Sequence, residues 1–220
     1  MNTLIRNIVK HTYQPLLGKY LSTTRLYHYE GVELVVPPEV FHPGFFTSSR
    51  YLLRHLKKLE LKKLSFLDLG AGSGIIGIVA AKHGAVVTAI DINPMAVRCI
   101  RENGQRNGLA LRTYESDLFQ ALPAGTFDII AINPPYYRKD PVTMKDHAWY
   151  CGCEGEYFQK LFQQLPEFIH EATQVLMTVC DGADISMITQ HAMKGGFTMH
   201  CIHRKQHLMQ KNFIYAITLC

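Results

Sequence analysis

Apolar runs of strand length alternate with segments of helical periodicity through the middle of the chain, residues 63–196. The runs KLSFLDL, AVVTAID, FDIIAIN and TQVLMTVC predict buried strands, and ALRTYES predicts a weaker one. Segments beginning at Ser73, Asn93, Gly155 and Asp184 predict the helices. Strands that alternate with helices form a mostly parallel sheet with helices on both faces. The predicted fold class is therefore α/β, in which ligands bind beyond the carboxyl ends of the strands.

The flanking segments predict a small extension at one end and a hairpin at the other. Residues 1–25 have an interrupted helical pattern, and RLYHYEGVELVVP predicts two short strands joined by a tight turn. SSRYLLRHLKKL predicts a helix, and Pro166 is predicted to kink or split the helix GEYFQKLFQQLPEFIHEA. FTMHCIHR and NFIYAITL predict a final antiparallel hairpin. We therefore divide the chain into an N-terminal helical and hairpin extension, residues 1–40, and one main domain, residues 41–220.

Composition limits the classes of protein that this chain can belong to. The chain has 220 residues, of which 47% are hydrophobic, as expected for a globular domain with its own core. No apolar run approaches the roughly 20 residues that span a bilayer, and no apolar secretory signal is present. The net charge of +5 permits a nucleic-acid partner without demanding one.

The six cysteines follow no disulfide-scaffold spacing. Cys99, Cys180 and Cys201 lie in apolar patterns and are predicted to be reduced core residues. Together with the absence of a membrane or secretory segment, this predicts a cytoplasmic protein.

A glycine-rich turn follows the first strong strand, in the sequence DLGAGSGIIG. Gly70, Gly72 and Gly74 allow the backbone to turn tightly and leave space for a ligand to lie against it. The stretch also matches the dinucleotide fingerprint G-x-G-x-x-G. Taken alone, it fits a strand-to-helix turn without a ligand as well.

The next two strands lead to carboxylates. Asp91 can accept hydrogen bonds from both hydroxyls of a ribose, or it can merely help to cap the helix that begins at Asn93. Asp117, in ESDLF, can accept a hydrogen bond from an adenine amino group, with Leu118 against the ring. Because parallel strands end at one edge of the sheet, these groups are predicted to converge.

The strand FDIIAI ends in Asn133-Pro134-Pro135-Tyr136. Prolines stiffen the backbone, so the Pro134 carbonyl and the Asn133 side-chain carbonyl can point in set directions. Two fixed acceptors can hold both hydrogens of a planar –NH2 group, while Tyr136 lies against its flat face. Such a group is a poor nucleophile, and holding its hydrogens aims the nitrogen at an electrophile.

Together, FLDLGAGSGIIGI, AIDINPMAV, ESDLF and NPPYY resemble the class I S-adenosylmethionine-dependent methyltransferases. Within that class they most resemble the release-factor glutamine methyltransferases of the HemK/PrmC type. VFHPGFFTSSRYLLRHL is also similar to a segment of the small-domain methyltransferases that act on ribosomal RNA. The resemblance covers residues 30–220 and implies a Rossmann-like, seven-stranded, mostly parallel sheet with an antiparallel last strand. Residues 41–220 would then be the catalytic domain.

The resemblance also implies S-adenosylmethionine as the cofactor and a role for each matching residue. The implied cofactor-binding residues are Thr47, Asp68, Gly70, Gly72, Gly74, Asp91, Ile92, Asp117, Leu118 and Asn133. The implied catalytic residues are Asn133, Pro134, Pro135 and Tyr136.

The chain departs from the bacterial release-factor enzymes in two places. Only residues 1–40 precede the fold, whereas those enzymes carry a separate helical domain there. Their glycine-rich turn after N-P-P-Y is interrupted here by Cys151 and Cys153. The shorter layout is similar to that of the eukaryotic and archaeal enzymes, which implies a possible partner subunit.

Three other interpretations remain open from the sequence. An NAD-dependent oxidoreductase would use the glycines and Asp91, but it would need neither Asp68 nor N-P-P-Y. A scaffold protein that only binds cofactor would have no use for an amide clamp, the name that we give to Asn133-Pro134-Pro135-Tyr136 as a holder of a planar –NH2 group. A structural metal site is the third interpretation. Two groups of side chains are clustered in the sequence but lack the paired spacing of known metal sites, so we predict no metal. These groups are His147, Cys151 and Cys153, and His200, Cys201, His203 and His207.

The sequence therefore predicts an N-methyltransferase. The acceptor is a glutamine side chain of a protein such as a release factor, or the exocyclic amino group of adenine or guanine in rRNA, tRNA or DNA. The two present nearly the same flat donor pair, and the family resemblance favours glutamine. Arg138 and Lys139, next to the clamp, are candidates for contacts to phosphates.

Overall fold

The computed structural model describes residues 20–44, 47–207 and 210–220. Its helices are α1 (Thr47–Leu56), α2 (Ile75–Lys82), α3 (Pro94–Arg106), α4 (Glu156–Gln164) and α5 (Ile185–Lys194). Its strands are β1 (Arg25–Tyr29), β2 (Val32–Val36), β3 (Ser65–Leu69), β4 (Val86–Asp91), β5 (Arg112–Glu115), β6 (Ile129–Ile132), β7 (Gln174–Cys180), β8 (Phe197–His207) and β9 (Gln210–Leu219). Most of the helix predicted over residues 1–25 falls on residues 1–19, outside the described residues.

Seven strands form one sheet in the order β5-β4-β3-β6-β7-β9-β8. The strands from β5 to β7 pair in parallel, whereas β9 enters between β7 and β8 and runs antiparallel to both. The predicted α/β sheet with an antiparallel last strand is confirmed. The strand order reverses between β3 and β6, the kind of switch point at which open α/β sheets bind ligands.

Helices cover both faces of this sheet. Phe66, Ala89 and Ile129 pack with α1, α2 and α3 on one face, and Leu67 and Ile130 pack with α4 and α5 on the other. Successive residues of a strand point to opposite faces, so neighbours such as Phe66 and Leu67 enter different cores. Burial on both faces explains why the central strands are continuous apolar runs.

Strands β1 and β2 form a separate hairpin, as predicted. Glu30 and Gly31 turn it with φ of 48° and 73°, and a positive φ at both positions is typical of two-residue hairpin turns. The hairpin lies against α3, where the Asn103 side-chain oxygen accepts the Val35 N–H at 2.8 Å. Leu34 is buried in the same core as α2 and α3. The division of the chain at residue 40 stays a prediction.

Two local predictions need correction. The helix predicted after Gly155 is split at Pro166, as expected, because proline cannot continue the hydrogen-bonding ladder, but the 3-10 turn that contains Pro166, Leu165–Phe168, ends before the predicted Ala172. Cys201 is exposed rather than in the core, whereas Cys99 and Cys180 are buried. All six cysteines are free thiols. Over the described ranges, no helix combines the length and the apolar character needed to cross a membrane.

Candidate active site

A cavity of about 340 Å³ lies at the carboxyl ends of β3, β4 and β6. Its volume falls in the range of ligand pockets, roughly 300–1,000 Å³. Most of the predicted site residues line it: Gly70, Gly72, Asp91, Ile92, Asp117, Leu118, Asn133, Pro134, Pro135 and Tyr136. The four polar strand ends therefore meet in one place, although the four motifs that contain them are far apart in the sequence.

Three predicted residues lie behind the cavity lining rather than in it. Asp68 is buried, and its Oδ2 accepts the Gly77 N–H at 2.7 Å. A Cβ placed on Gly74 would lie 3.3 Å from the Ile100 side chain, so that glycine allows α2 to approach α3. The Thr47 hydroxyl accepts a hydrogen bond from Asn212 on β9 at 2.9 Å.

The glycine-rich turn is open toward the cavity. Gly70 and Gly72 have φ of 71° and 55°, a backbone region that favours glycine. A Cβ placed on Gly70 would meet no atom within 4 Å. The turn thus leaves room for a ligand to lie directly against its backbone.

Asp91 holds this turn in shape. Its Oδ2 accepts the Gly72 N–H at 2.8 Å and its Oδ1 accepts the Asn93 N–H at 2.9 Å. Capping of the next helix falls to Asn93 itself, whose side chain accepts the Met95 N–H at 2.9 Å. Burial raises the pKa of Asp91, although the backbone hydrogen bonds and the nearby His147 oppose the shift. Each carboxylate oxygen keeps a second lone pair for a ligand hydroxyl.

Asp68 has an unusual protonation equilibrium. Burial raises its pKa to about 7, with the negative charge of Asp91 as a smaller contribution and the Gly77 hydrogen bond opposing both. The carboxyl behind the glycine-rich turn is therefore partly protonated near neutral pH.

Side chains of α4 complete the part of the cavity that follows β5, where Asp117 lies. Lys160 pairs with Asp117, Nζ to Oδ2, at 2.8 Å, and Tyr157 lines the same part of the cavity. Burial raises the pKa of Tyr157, and the charges of Asp91 and Asp117 add to the shift. Sequence analysis missed Lys160 and Tyr157, because the pattern of α4 indicates only which of its residues face the core.

The side-chain amide of Asn133 is held from two sides. Its Nδ2 donates to the Ser49 hydroxyl at 3.1 Å, and its Oδ1 accepts from the Thr178 hydroxyl at 2.9 Å. Neither hydroxyl residue is close to Asn133 in sequence, so sequence analysis missed both. The two hydroxyls therefore fix the plane of the amide, and its oxygen keeps a second lone pair.

Tyr136 lines the same cavity, and its ring is held by a neighbouring ring. Its ring centroid lies 4.8 Å from that of Tyr137, in an edge-on arrangement. Burial raises the pKa of Tyr136 strongly, and interactions with Cys180 and Tyr137 raise it further. The phenol therefore stays protonated and offers a flat surface rather than a base.

The chain then forms a closed loop, residues 138–150, which we call the roof loop. The Tyr137 N–H donates to the Trp149 carbonyl, and the Cys151 N–H donates to the Tyr137 carbonyl, both at 3.0 Å. The Trp149 ring lies 5.2 Å from that of Phe41, centroid to centroid. Both rings and His147 line the cavity. The roof loop therefore spans the cavity from the N-P-P-Y turn to the segment that follows the β1–β2 hairpin.

Arg138 fastens the roof loop to the body of the domain. Its guanidinium donates to the Cys153 carbonyl at 2.8 Å and pairs with Glu154 at 3.3 Å and Asp184 at 3.2 Å. Lys139 lies over the Tyr150 ring, 4.7 Å from its centroid. Among the described residues, no group of three His, Cys, Asp or Glu side chains has the geometry to hold a metal ion.

Comparison with known proteins supports the class that this geometry indicates. The family model described as methyltransferase small domain matches residues 31–149. A protein of Methanocaldococcus jannaschii named "Putative protein N5-glutamine methyltransferase" is 41% identical over 161 residues, which cover 70% of this chain and 79% of that one. The release factor glutamine methyltransferase of Chlamydia trachomatis is 30% identical over 156 residues, 66% of this chain and 52% of that enzyme. This chain therefore matches only about half of the bacterial enzyme's length.

Solved structures show the same fold at low sequence identity. The Mtq2–Trm112 complex of E. cuniculi, responsible for methylation of the eRF1 translation termination factor, matches with a TM-score of 0.63 and 17% identity, over 83% of this chain and 99% of that one. The T. thermophilus 16S rRNA N2 G1207 methyltransferase, in complex with AdoMet and guanosine, matches with a TM-score of 0.62 and 20% identity, over 88% of this chain and 50% of that one.

Fold, site and relatives together define an S-adenosylmethionine-dependent methyltransferase. Within that class, the chain belongs to the methyltransferase small domain family. The alternative of an NAD-dependent oxidoreductase is thereby set aside.

Proposed function

We propose that this protein methylates the side-chain amide nitrogen of a glutamine in a protein substrate such as a release factor. The observation that carries the proposal is the fixed amide of Asn133 at the end of β6, followed by the stiff Pro134-Pro135 turn. Its oxygen and the Pro134 carbonyl supply two acceptors for the two hydrogens of a flat –NH2 group. The archaeal relative, matched over 79% of its length, is named for chemistry at a glutamine N5 atom.

The cavity suits the cofactor that the family uses. S-Adenosylmethionine supplies an electrophilic methyl group on a sulfonium. The open turn at Gly70 and Gly72 would hold the methionine end, and Asp91 has free lone pairs for the ribose hydroxyls. Asp117, with Leu118 beside it, would hold the adenine.

The residues of the chain would act by orientation rather than by strong base catalysis. An amide nitrogen is a weak nucleophile, and binding both of its hydrogens directs it toward the electrophile. Tyr136 supports the flat face of the amide. Since burial raises the pKa of both Tyr136 and Tyr157, neither phenol serves as the base, and the proton leaves to solvent.

The surroundings of the clamp favour a protein over a nucleic acid. Arg138 and Lys139 are the basic residues nearest to N-P-P-Y in sequence. Arg138 is already paired with two carboxylates, and Lys139 lies on an aromatic ring of the roof loop. Phosphate binding by Arg138 would therefore have to break existing ion pairs.

A partner subunit belongs to the proposal as a second component. The Mtq2 structure is a complex with Trm112, and this chain matches nearly all of the Mtq2 length. A small partner protein is the first addition to make if the isolated chain binds cofactor but is inactive.

The proposal is tested by labelling. Purified protein and S-adenosylmethionine with a radioactive methyl group are added to an extract of cells that lack the protein, and the products are digested with protease or with nuclease. We expect the label to be released by protease and to trace to one protein, and we expect the Asn133→Ala variant to transfer it about 100-fold more slowly. Release by nuclease would replace the proposal with methylation of an adenine or guanine amino group.

A further inference from the structure

Two buried hydroxyl groups fix the amide of Asn133. Ser49 lies in α1 and Thr178 lies in β7, at separations of 84 and 45 positions from Asn133. Ser49 is 3% exposed and Thr178 is completely buried. The two elements approach the end of β6 from different sides, so the Asn133 amide is held between a helix and a strand.

Thr178 makes its contact from outside the cavity. Ser49 is part of the cavity lining, but Thr178 is not. The interaction of Thr178 with the site therefore runs through the Asn133 oxygen at 2.9 Å. A buried hydroxyl is costly without a partner, and a valine would fill the same space in an apolar strand. The hydroxyl at this position is thus explained by the hydrogen bond that it makes.

The position and the plane of the amide decide whether the clamp can work. With Oδ1 toward Thr178 and Nδ2 toward Ser49, the second lone pair of Oδ1 is left to accept a hydrogen from the acceptor's –NH2 group. Because a hydroxyl can donate or accept a hydrogen bond, the two contacts together fix the plane and the position of the amide. Resting on the proposed function, we infer that Ser49 and Thr178 are positioning residues that hold the Asn133 amide in the place and plane that acceptor binding needs.

Three single variants test this. Thr178→Val removes the hydroxyl at nearly constant shape, Thr178→Ser retains it, and Thr88→Val reports the general cost of replacing a buried strand threonine. We expect Thr178→Val to lower kcat by roughly 10- to 100-fold, with the cofactor Kd within about twofold of wild type. Thr178→Ser should restore kcat to within a few fold, and Thr88→Val should leave it nearly unchanged.

A double variant separates positioning from a general structural role. On the Asn133→Ala background the amide is gone, so adding Thr178→Val should lower the residual rate by less than about twofold, a loss of additivity expected of residues that act through each other. Ser49→Ala should show the same dependence on Asn133.

The outcomes are distinguishable. If wild-type protein methylates no glutamine even in the cell extract, which supplies any partner subunit, the proposed function fails whatever the variants do. If wild type is active and Thr178→Val keeps kcat within twofold, the inference alone fails. Equal losses in Thr178→Val, Thr178→Ser and Thr88→Val, or an undiminished Thr178→Val effect without Asn133, would also overturn it.

Discussion

Asn133 is the residue on which the proposed chemistry depends most. Replacing it with alanine removes one of the two acceptors for the –NH2 hydrogens but leaves Asp91 and the glycine-rich turn in place. We expect kcat to fall by about 100-fold or more, the size found when one such fixed hydrogen-bonding group is removed from an active site. Cofactor affinity, measured by equilibrium dialysis, should change little. Unaltered turnover would show that the clamp is not part of the mechanism.

Asp91 is expected to act on the cofactor instead. Asp91→Ala removes the acceptor for the Gly72 and Asn93 N–H groups as well as the lone pairs for the ribose. Hydrogen bonds to a charged group contribute about 1.5–3 kcal/mol each, so the Kd for S-adenosylmethionine should rise by about tenfold or more in calorimetry. Glu115→Ala, an exposed carboxylate at the end of the neighbouring β5, is the matched control. Equal affinity in wild type and Asp91→Ala would refute this role.

Among the elements, the roof loop has the most direct test. Arg138 is 46% exposed, so its ion pairs add little to global stability, but they fasten the loop to Glu154 and Asp184. In Arg138→Gln we expect hydrogen–deuterium exchange of residues 141–150 to become faster, while the sheet stays protected. Lys145→Gln, on the same loop, should exchange as wild type does. Identical exchange in the two variants would mean that Arg138 does not hold the loop.

The features of the strands, helices and turns that the sequence predicted correctly are those that a few neighbouring residues determine. The strand ends, the start of a helix at Asn93 and the glycine-rich turn are encoded within a few residues each, and all were predicted. The split at Pro166, where the backbone loses a donor, was predicted as well, but continuing the helical pattern beyond Phe168 to Ala172 was wrong. Lys160, Tyr157, Ser49 and Thr178 reach the site only through packing between distant segments, for which one sequence carries no local signal.

For the whole molecule, the buried carboxyl of Asp68 predicts a pH dependence of stability. Its pKa is about 7 in the folded protein and about 4 in an unfolded chain. The folded state therefore binds the extra proton, and the stability from this group is present below about pH 4 and is lost as pH rises through about 7. Asp68→Asn mimics the protonated form. Its free energy of unfolding relative to wild type should rise between pH 4 and pH 8 in urea titrations, and a constant difference would contradict the burial argument.

The central claim is that a glutamine amide receives the methyl group. The most direct measurement is amino-acid analysis of the protein fraction labelled from radioactive S-adenosylmethionine, with the Asn133→Ala variant alongside. The account predicts that the label co-migrates with N5-methylglutamine after enzymatic digestion to amino acids, and that the variant forms it about 100-fold more slowly. Label on another amino acid, or on a nucleoside with the protein fraction unlabelled, would contradict it.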